Sequence, residues 1–303
     1  MQFNTTYNRI RTDENLMETA QHGSASYPFR FYYENLALFD FHCIEWHWHA
    51  ELEFVYVESG TVTVWIGESQ FALSPGDGVF INSRILHRFH SPAEAVIPNF
   101  VCMPAFIAPQ DSFLYHKYIR PVLSSSLAFQ VFRGEVPWQA DVLAIMKQVI
   151  AAQGSASCEL ATSSLVQRLW LEIYENADIT YTESRTDDSA SSQARLQLMM
   201  QYIHQNYAHD ISLDDIAAQA GISKSTVLNL FRRYLHVTPI SYLIGCRLNE
   251  AALLLSKTEK KVIAVSHETG FHNDDYFCRL FKKHYHLTPT EYRKKKLSAL
   301  TQA

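Results

Sequence analysis

The stretch GISKSTVLNLFRRYLHVTPISYL, starting at Gly221, returns in altered form as GFHNDDYFCRLFKKHYHLTPTEY, starting at Gly270. From Phe231 onward the register is constant: Phe231 answers to Phe281, Arg232 and Arg233 to Lys282 and Lys283, Thr238-Pro239 to Thr288-Pro289, and Tyr242 to Tyr292. Two copies of one supersecondary unit in the last third of a 303-residue chain constrain that third strongly. Each copy can bury its apolar face only against its neighbours.

Each copy reads as helix, glycine turn, helix. In the first, Ser212 with Asp215 three residues later forms a capping box at the start of LDDIAAQA. Gly221 ends that helix, because glycine accepts the positive φ of a tight turn, and Ser223 caps the next one. Val227, Leu230 and Phe231 share a buried face, which turns Lys224, Ser225, Thr226, Asn229, Arg232 and Arg233 outward. The second copy has KVIAVSHE, Gly270, the cap Asn273 and an apolar stripe of Phe277, Leu280 and Phe281. Its outward set is Asp274, Asp275, Arg279, Lys282 and Lys283. This is the helix-turn-helix plan, in which the second helix enters the major groove of double-stranded DNA and basic residues meet phosphates.

The charge distribution agrees. A net charge of -5 conceals a division at TESRTDDSASSQ: residues 1–192 carry 11 Lys and Arg against 22 Asp and Glu, while residues 193–303 carry 15 against 9. A basic third behind an acidic remainder points to a polyanionic partner. Between the copies, Pro239 follows the N-cap Thr238 and opens a helix over 240–255, with Leu243, Leu248, Ala251 and Leu255 apolar. Such a helix is roughly 24 Å long. With the offset of the recognition helices themselves, it can hold them for successive major grooves ~34 Å apart.

In these features residues 195–296 resemble the DNA-binding domain of the AraC/XylS family of transcription regulators. The second copy carries the signature of that family in Gly270, Phe271, Tyr276, Phe277, Phe281, Lys282, Lys283, Thr288, Pro289, Tyr292 and Arg293. The resemblance implies base-facing positions at Ser225, Thr226 and Asn229 in the first unit, and at Asp274, Asp275 and Arg279 in the second. Arg279 is the residue expected to meet a base, guanine by chemistry. Asp274 and Asp275 set two anions toward the phosphates. After the N-cap Asn273 the helix macrodipole favours them by roughly 0.3–1 kcal/mol. A carboxylate also accepts from a cytosine amino group, so both uses stay open.

Residues 29–103 are dense in aromatic and β-branched types, with alternating runs such as LEFVYV and TVTVWI and turns at Glu58-Ser59-Gly60 and Ser74-Pro75-Gly76-Asp77-Gly78. This is an all-β pattern. Within it His47, His49, Glu53 and Gly60 have the spacing H-x-H-x3-E-x6-G, and a regular strand would place His47, His49 and Glu53 on one face. The arrangement resembles the first motif of cupins, barrels that often precede the DNA-binding part in the AraC family. His87 departs from the cupin pattern: it comes eleven residues after Gly76, whereas metal-binding cupins carry their third histidine close behind the Pro-x-Gly turn. The expected role of His47, His49, Glu53 and His87 is therefore hydrogen bonding to a small polar effector such as a sugar. No cofactor is expected, although the same donors suit Fe, Mn, Ni or Zn.

Two helices follow the barrel, WQADVLAIMKQVIAAQ and CELATSSLVQRLWLEIYEN, joined through Gly154-Ser155. The resemblance implies a homodimer interface on them; packing against their own barrel is the equal alternative. The five cysteines are scattered and form no Cys-x-x-Cys pair, which argues against a disulfide framework or zinc finger and fits a reducing compartment. No stretch is apolar for long enough to suggest a membrane span, so the expected location is cytoplasmic.

The expected fold class is α+β in two domains. Residues 1–181 form a cupin-like β-barrel with a helical pair, 182–194 a linker, and 195–303 an all-α domain with two helix-turn-helix units. The implied function is that of a DNA-binding transcription regulator, not an enzyme, which responds to an effector and meets RNA polymerase if it activates. The alternatives are a metal-dependent cupin enzyme, or a cupin interaction module, with an accessory DNA-binding domain.

Overall fold

Alternating apolar residues build nine strands among the described residues of the N-terminal unit: β1 (Phe29–Asn35), β2 (Cys43–His47), β3 (Leu52–Tyr56), β4 (Val62–Ile66), β5 (Ser69–Leu73), β6 (Gly78–Ile81), β7 (His87–His90), β8 (Val96–Cys102) and β9 (Phe129–Phe132). This computed structural model describes residues 10–13, 16–67, 69–179 and 187–301. The strands form two antiparallel sheets, ordered β1-β8-β3-β6-β9 and β2-β7-β4-β5. Val55, Val79, Ile81 and Ile97 of the first, with Val57 just beyond β3, pack against Ile44, Val62, Val64, Ile66, Leu73 and Phe89 of the second, giving the barrel an aliphatic filling.

The other face of the five-stranded sheet presents Phe54, Phe80 and Phe100 to the helices. After a short α1 (Arg120–Leu123) come α2 (Pro137–Ala152) and α3 (Cys158–Asn176). Their inner stripes, Val142, Leu143, Ile145, Met146 and Val149 with Val166, Leu169, Trp170 and Ile173, are buried on that aromatic layer. The helical pair thus covers its own barrel, while Leu160 and Leu171 on α3 remain 77% and 49% exposed.

The division between the two compact units falls between Ser191 and Ser192. Part of the expected linker, residues 182–186, lies outside the described residues, and from Asp187 the chain is already helical, so 187–194 belong to α4 (Asp187–Asn206). The C-terminal unit continues with α5 (Leu213–Ala220), α6 (Lys224–Leu235), α7 (Pro239–Lys257), α8 (Val262–Glu268), α9 (Asp274–Tyr285) and α10 (Pro289–Thr301). α5 opens on the capping box of Ser212 and Asp215 and closes on Gly221 at φ 61°. α6, α7 and α9 take side-chain caps from Ser223, Thr238 and Asn273. Val227, Leu230 and Phe231 are buried as expected, and so are Phe277 and Phe281; Leu280 is only half-buried. No helix among the described residues is long and apolar enough to cross a membrane.

Candidate functional site

Two places in the chain gather chemistry. The first lies at one end of the barrel. The expectation of one regular strand through His47, His49 and Glu53 does not hold: β2 is irregular between Ile44 and His47 and ends there, His49 sits in the turn, and Glu53 belongs to β3 in the opposite sheet. The turn is fixed by the Arg84 amide donating to the His49 carbonyl at 2.8 Å and by Ser83 Oγ donating to the Ala50 carbonyl at 2.6 Å. The residues therefore meet across the barrel rather than along a strand. His87 joins them. The residues after Gly76 are spent on β6 and a crossover to the other sheet, so that β7 begins at His87, paired with His47.

Side-chain donor atoms of His47, His49, Glu53 and His87 all lie within 4.8 Å of one another. The four residues are 2%, 4%, 6% and 1% exposed. Glu53 Oε2 stands 2.9 Å from His87 Nε2 and 3.3 Å from His49 Nε2. His47 Nδ1 donates to the Glu45 carbonyl at 2.8 Å, and His87 Nδ1 to the Ile85 carbonyl at 2.7 Å. Those backbone bonds fix both rings with Nε2 toward the cluster, the arrangement in which ligating histidines are held. Glu51 Oε2 lies 3.6 Å from His49 Nδ1, behind that ring.

The electrostatics are those of a site built around a positive charge. Burial opposes ionisation of Glu53, but His87 and His49 outweigh it and keep this carboxyl well below its ordinary range. Burial, reinforced by His87, holds His47 well below the ordinary histidine value, so it is neutral with a free lone pair. Burial also works against protonation of His87, yet Glu53 raises it. His87 Nε2 and the carboxylate stand at ion-pair distance, 2.9 Å. Three imidazoles and one carboxylate, closely spaced and held from behind, fit a divalent cation of the Mn, Fe, Ni or Zn type.

The second place is the outer face of α6 and α9. Ser225, Asn229 and Arg232 on α6, and Asp275, Arg279 and Lys282 on α9, form equivalent exposed stripes at i, i+4, i+7. Arg233 and Lys283 are exposed beside them. The arrangement separates the candidate contacts further. Lys224 is paired with Asp214 of α5 at 2.9 Å, and Thr226 is half-buried with its hydroxyl 2.9 Å from Ser223 Oγ. Asp274 is half-buried and faces His267 of α8 at 3.3 Å. Arg279 projects freely enough to lie over the Tyr276 ring, its guanidinium carbon 5.6 Å from the centroid.

Comparison with known proteins matches residues 216–295 to a helix-turn-helix domain family and residues 43–99 to a cupin domain family. The chain is 29% identical over 289 residues to the uncharacterized HTH-type transcriptional regulator YdeC of Bacillus subtilis (strain 168), across 93% of this chain and 97% of that one. The chain is an AraC-type transcription regulator. This regulator is also 23% identical to the HTH-type transcriptional activator RhaS of Klebsiella pneumoniae (strain 342), across 82% of this chain and 86% of that one. Among solved structures, an AraC-type regulator from Chromobacterium violaceum is 32% identical, covering 35% of this chain and 96% of that chain, with a TM-score of 0.34.

Sequence reasoning found all four members of the barrel cluster but missed the polar groups around it. Glu51 follows His49 by two residues in the same turn, where strand parity does not apply. Glu18 and His22 come from a segment before β1, and no local pattern ties them to the histidines. If the outer face of α6 and α9 meets DNA, Arg279→Ala should weaken binding to a selected DNA site by ~1–3 kcal/mol and relax preference at one base pair. Lys282→Ala should instead weaken all sequences alike and reduce the slope of log affinity against log salt by about one. Titrations at several salt concentrations separate the two.

Proposed function

We propose that this regulator reads operator DNA with α6 and α9 and that its DNA occupancy answers to what the cupin barrel holds, first of all a divalent metal ion on His47, His49, Glu53 and His87. The observation that carries this reading is the convergence of four buried donors within 4.8 Å, with two rings anchored through Nδ1. This favours a metal over the purely hydrogen-bonding role expected from the spacing of His87. A bound ion would supply a Lewis-acidic point of attachment for a polar effector oxygen. The protein residues would do the rest: orient the donors, exclude bulk water and discriminate among effectors by hydrogen bonds.

A regulatory use of the site needs the ion or effector to bind two states of the protein unequally. The names of the relatives support regulation rather than catalysis. On this reading the protein acts in the cytoplasm as a homodimer, for which the exposed Leu160 and Leu171 of α3 offer an apolar face, and it contacts RNA polymerase where it activates.

Two experiments test the proposal. Sheared genomic DNA incubated with the full chain should yield a few fragments carrying two motifs about one helical turn apart. Unselective recovery would count against sequence-specific reading. Mn(II) titrated into the protein should bind more tightly at pH 8 than at pH 6, because the proton that Glu53 helps retain on His87 must leave before the ring can ligate. Equal affinity at both values would remove His87 from the ligand set.

A further inference from the structure

A second polar layer lies against the four-residue cluster, and part of it comes from the chain segment before β1. The Glu18 amide donates to the Trp48 carbonyl at 2.9 Å, and the Trp48 amide donates to the Leu16 carbonyl at 3.0 Å. That segment is thereby tied to the residue between His47 and His49. Its His22 is 7% exposed and packs edge-on against His49, with ring centroids 5.6 Å apart. His22 Nδ1 is 2.8 Å from the Tyr32 hydroxyl. His22 Nε2 is buried in an ion pair with Glu18 Oε2 at 3.3 Å that lacks the alignment of a good hydrogen bond. A buried imidazole nitrogen whose carboxylate neighbour is long and poorly aligned can take a better-aligned partner, and this one lies beside a candidate metal centre.

The layer continues on the sheet. Strand parity places Tyr32 and Glu34 of β1 and Asn99 of β8 on the same face as Glu53 of β3. The Asn99 amide donates to Glu34 Oε2 at 2.8 Å, in a row where Val55 and Val79 supply the neighbouring side chains. Packing of the sheet alone calls for an aliphatic residue at position 99. Burial pushes the Glu34 carboxyl up to about 8, which leaves it able to donate a proton near neutral pH. With Glu18, Glu51 and Glu53 nearby, an anionic ligand would be repelled. A neutral oxygen that both gives and accepts hydrogen bonds would be held.

We infer that His22, fixed through Nδ1 by Tyr32 and flanked at Nε2 by Glu18, is a positioning residue of the metal centre, whose Nε2 hydrogen-bonds the ion's non-protein ligand, a hydroxyl-type oxygen of water or of an organic alcohol. The inference rests on the reading of His47, His49, Glu53 and His87 as metal ligands. The full chain and its His22→Phe, His22→Gln and Glu18→Gln variants are loaded with Mn(II), and affinity and water-proton relaxation are measured before and after glycerol is added. His22→Phe keeps a ring against His49 but should bind Mn(II) about 10–100-fold more weakly and alter the relaxation per bound ion. His22→Gln should recover most of both, and Glu18→Gln should shift them in the direction of His22→Phe. If the oxygen belongs to water, glycerol leaves the wild-type relaxation unchanged; if the centre takes an organic hydroxyl, glycerol lowers it in wild type and not in His22→Phe. Equal affinity and relaxation in wild type, His22→Phe and Glu18→Gln would overturn the inference while leaving the ligand set intact. Failure of the wild-type protein itself to bind Mn(II) would overturn the ligand set and the inference together.

Discussion

Alanine at His47 should reduce divalent metal affinity by more than about 100-fold, since even partners behind a ligand are worth 10–100-fold and the proposed role of His47 is that of a ligand. Its ring is neutral, buried and aligned through the Glu45 carbonyl, so no reorganisation of the wild-type site is needed before it ligates. Glu53→Gln should have a comparable effect by another route, because it removes the one negative charge that faces both His49 and His87. Isothermal titration of Mn(II) or Zn(II) into each variant reads the loss directly. Thermal melting reads it again: ligand at a hundredfold excess over Kd stabilises the wild-type protein by ~2.7 kcal/mol. For a unit of this size that is a rise of roughly 5–11 °C. Chelator should abolish the rise in wild type and change nothing in His47→Ala.

Gly270→Ala should produce the largest loss in the C-terminal unit. Gly270 has φ +84°, and a Cβ there would stand 2.8 Å from the Tyr207 carbonyl oxygen, 2.9 Å from Arg247 Nε and 3.0 Å from the Ala208 carbonyl oxygen. Two of these neighbours are backbone. The third is itself bound, with Arg247 Nε donating to the same Tyr207 carbonyl at 2.7 Å. Backbone strain of this kind costs about 1–3 kcal/mol before any clash is relieved. At roughly 4–8 °C per kcal/mol for a domain of this length, a loss of 2–3 kcal/mol lowers the melting point by about 8–24 °C. Gly221 provides the internal comparison: it has φ +61°, but a Cβ there meets nothing within 4 Å, so Gly221→Ala should lose less. Circular dichroism melts of both variants order the two effects, and a smaller loss at 270 than at 221 would contradict the close-packing argument.

The C-terminal unit was legible because its signals are local and doubled. Caps at Ser212, Ser223, Thr238 and Asn273 all lie within three residues of the amides they serve, and the repeat set the register of the second copy from the first. Leu280 lost its expected burial because a helical stripe fixes direction and not the depth of what covers it. The barrel was legible as a class through turns and alternation, and its candidate ligands through residue type. Their convergence was not. His47 and Glu53 meet through a strand irregularity and a turn that place them in opposite sheets, and His87 arrives by way of a whole strand and a crossover. Glu18 and His22 depend on a backbone pairing with Trp48, which has no counterpart in periodicity or spacing.

If the barrel cluster is coupled to DNA binding, DNA affinity must follow the state of that cluster. A genomic fragment recovered by the full chain is titrated with Mn(II)-loaded wild type, chelator-treated wild type and His47→Ala, with salt and pH held constant. The predicted result is a change in DNA affinity of at least about tenfold between loaded and stripped wild type, within the usual range of coupling between two sites, with His47→Ala matching the stripped protein whether or not Mn(II) is present. Identical affinity for the fragment in all three would mean that the barrel cluster has no say in DNA occupancy, and would contradict the account.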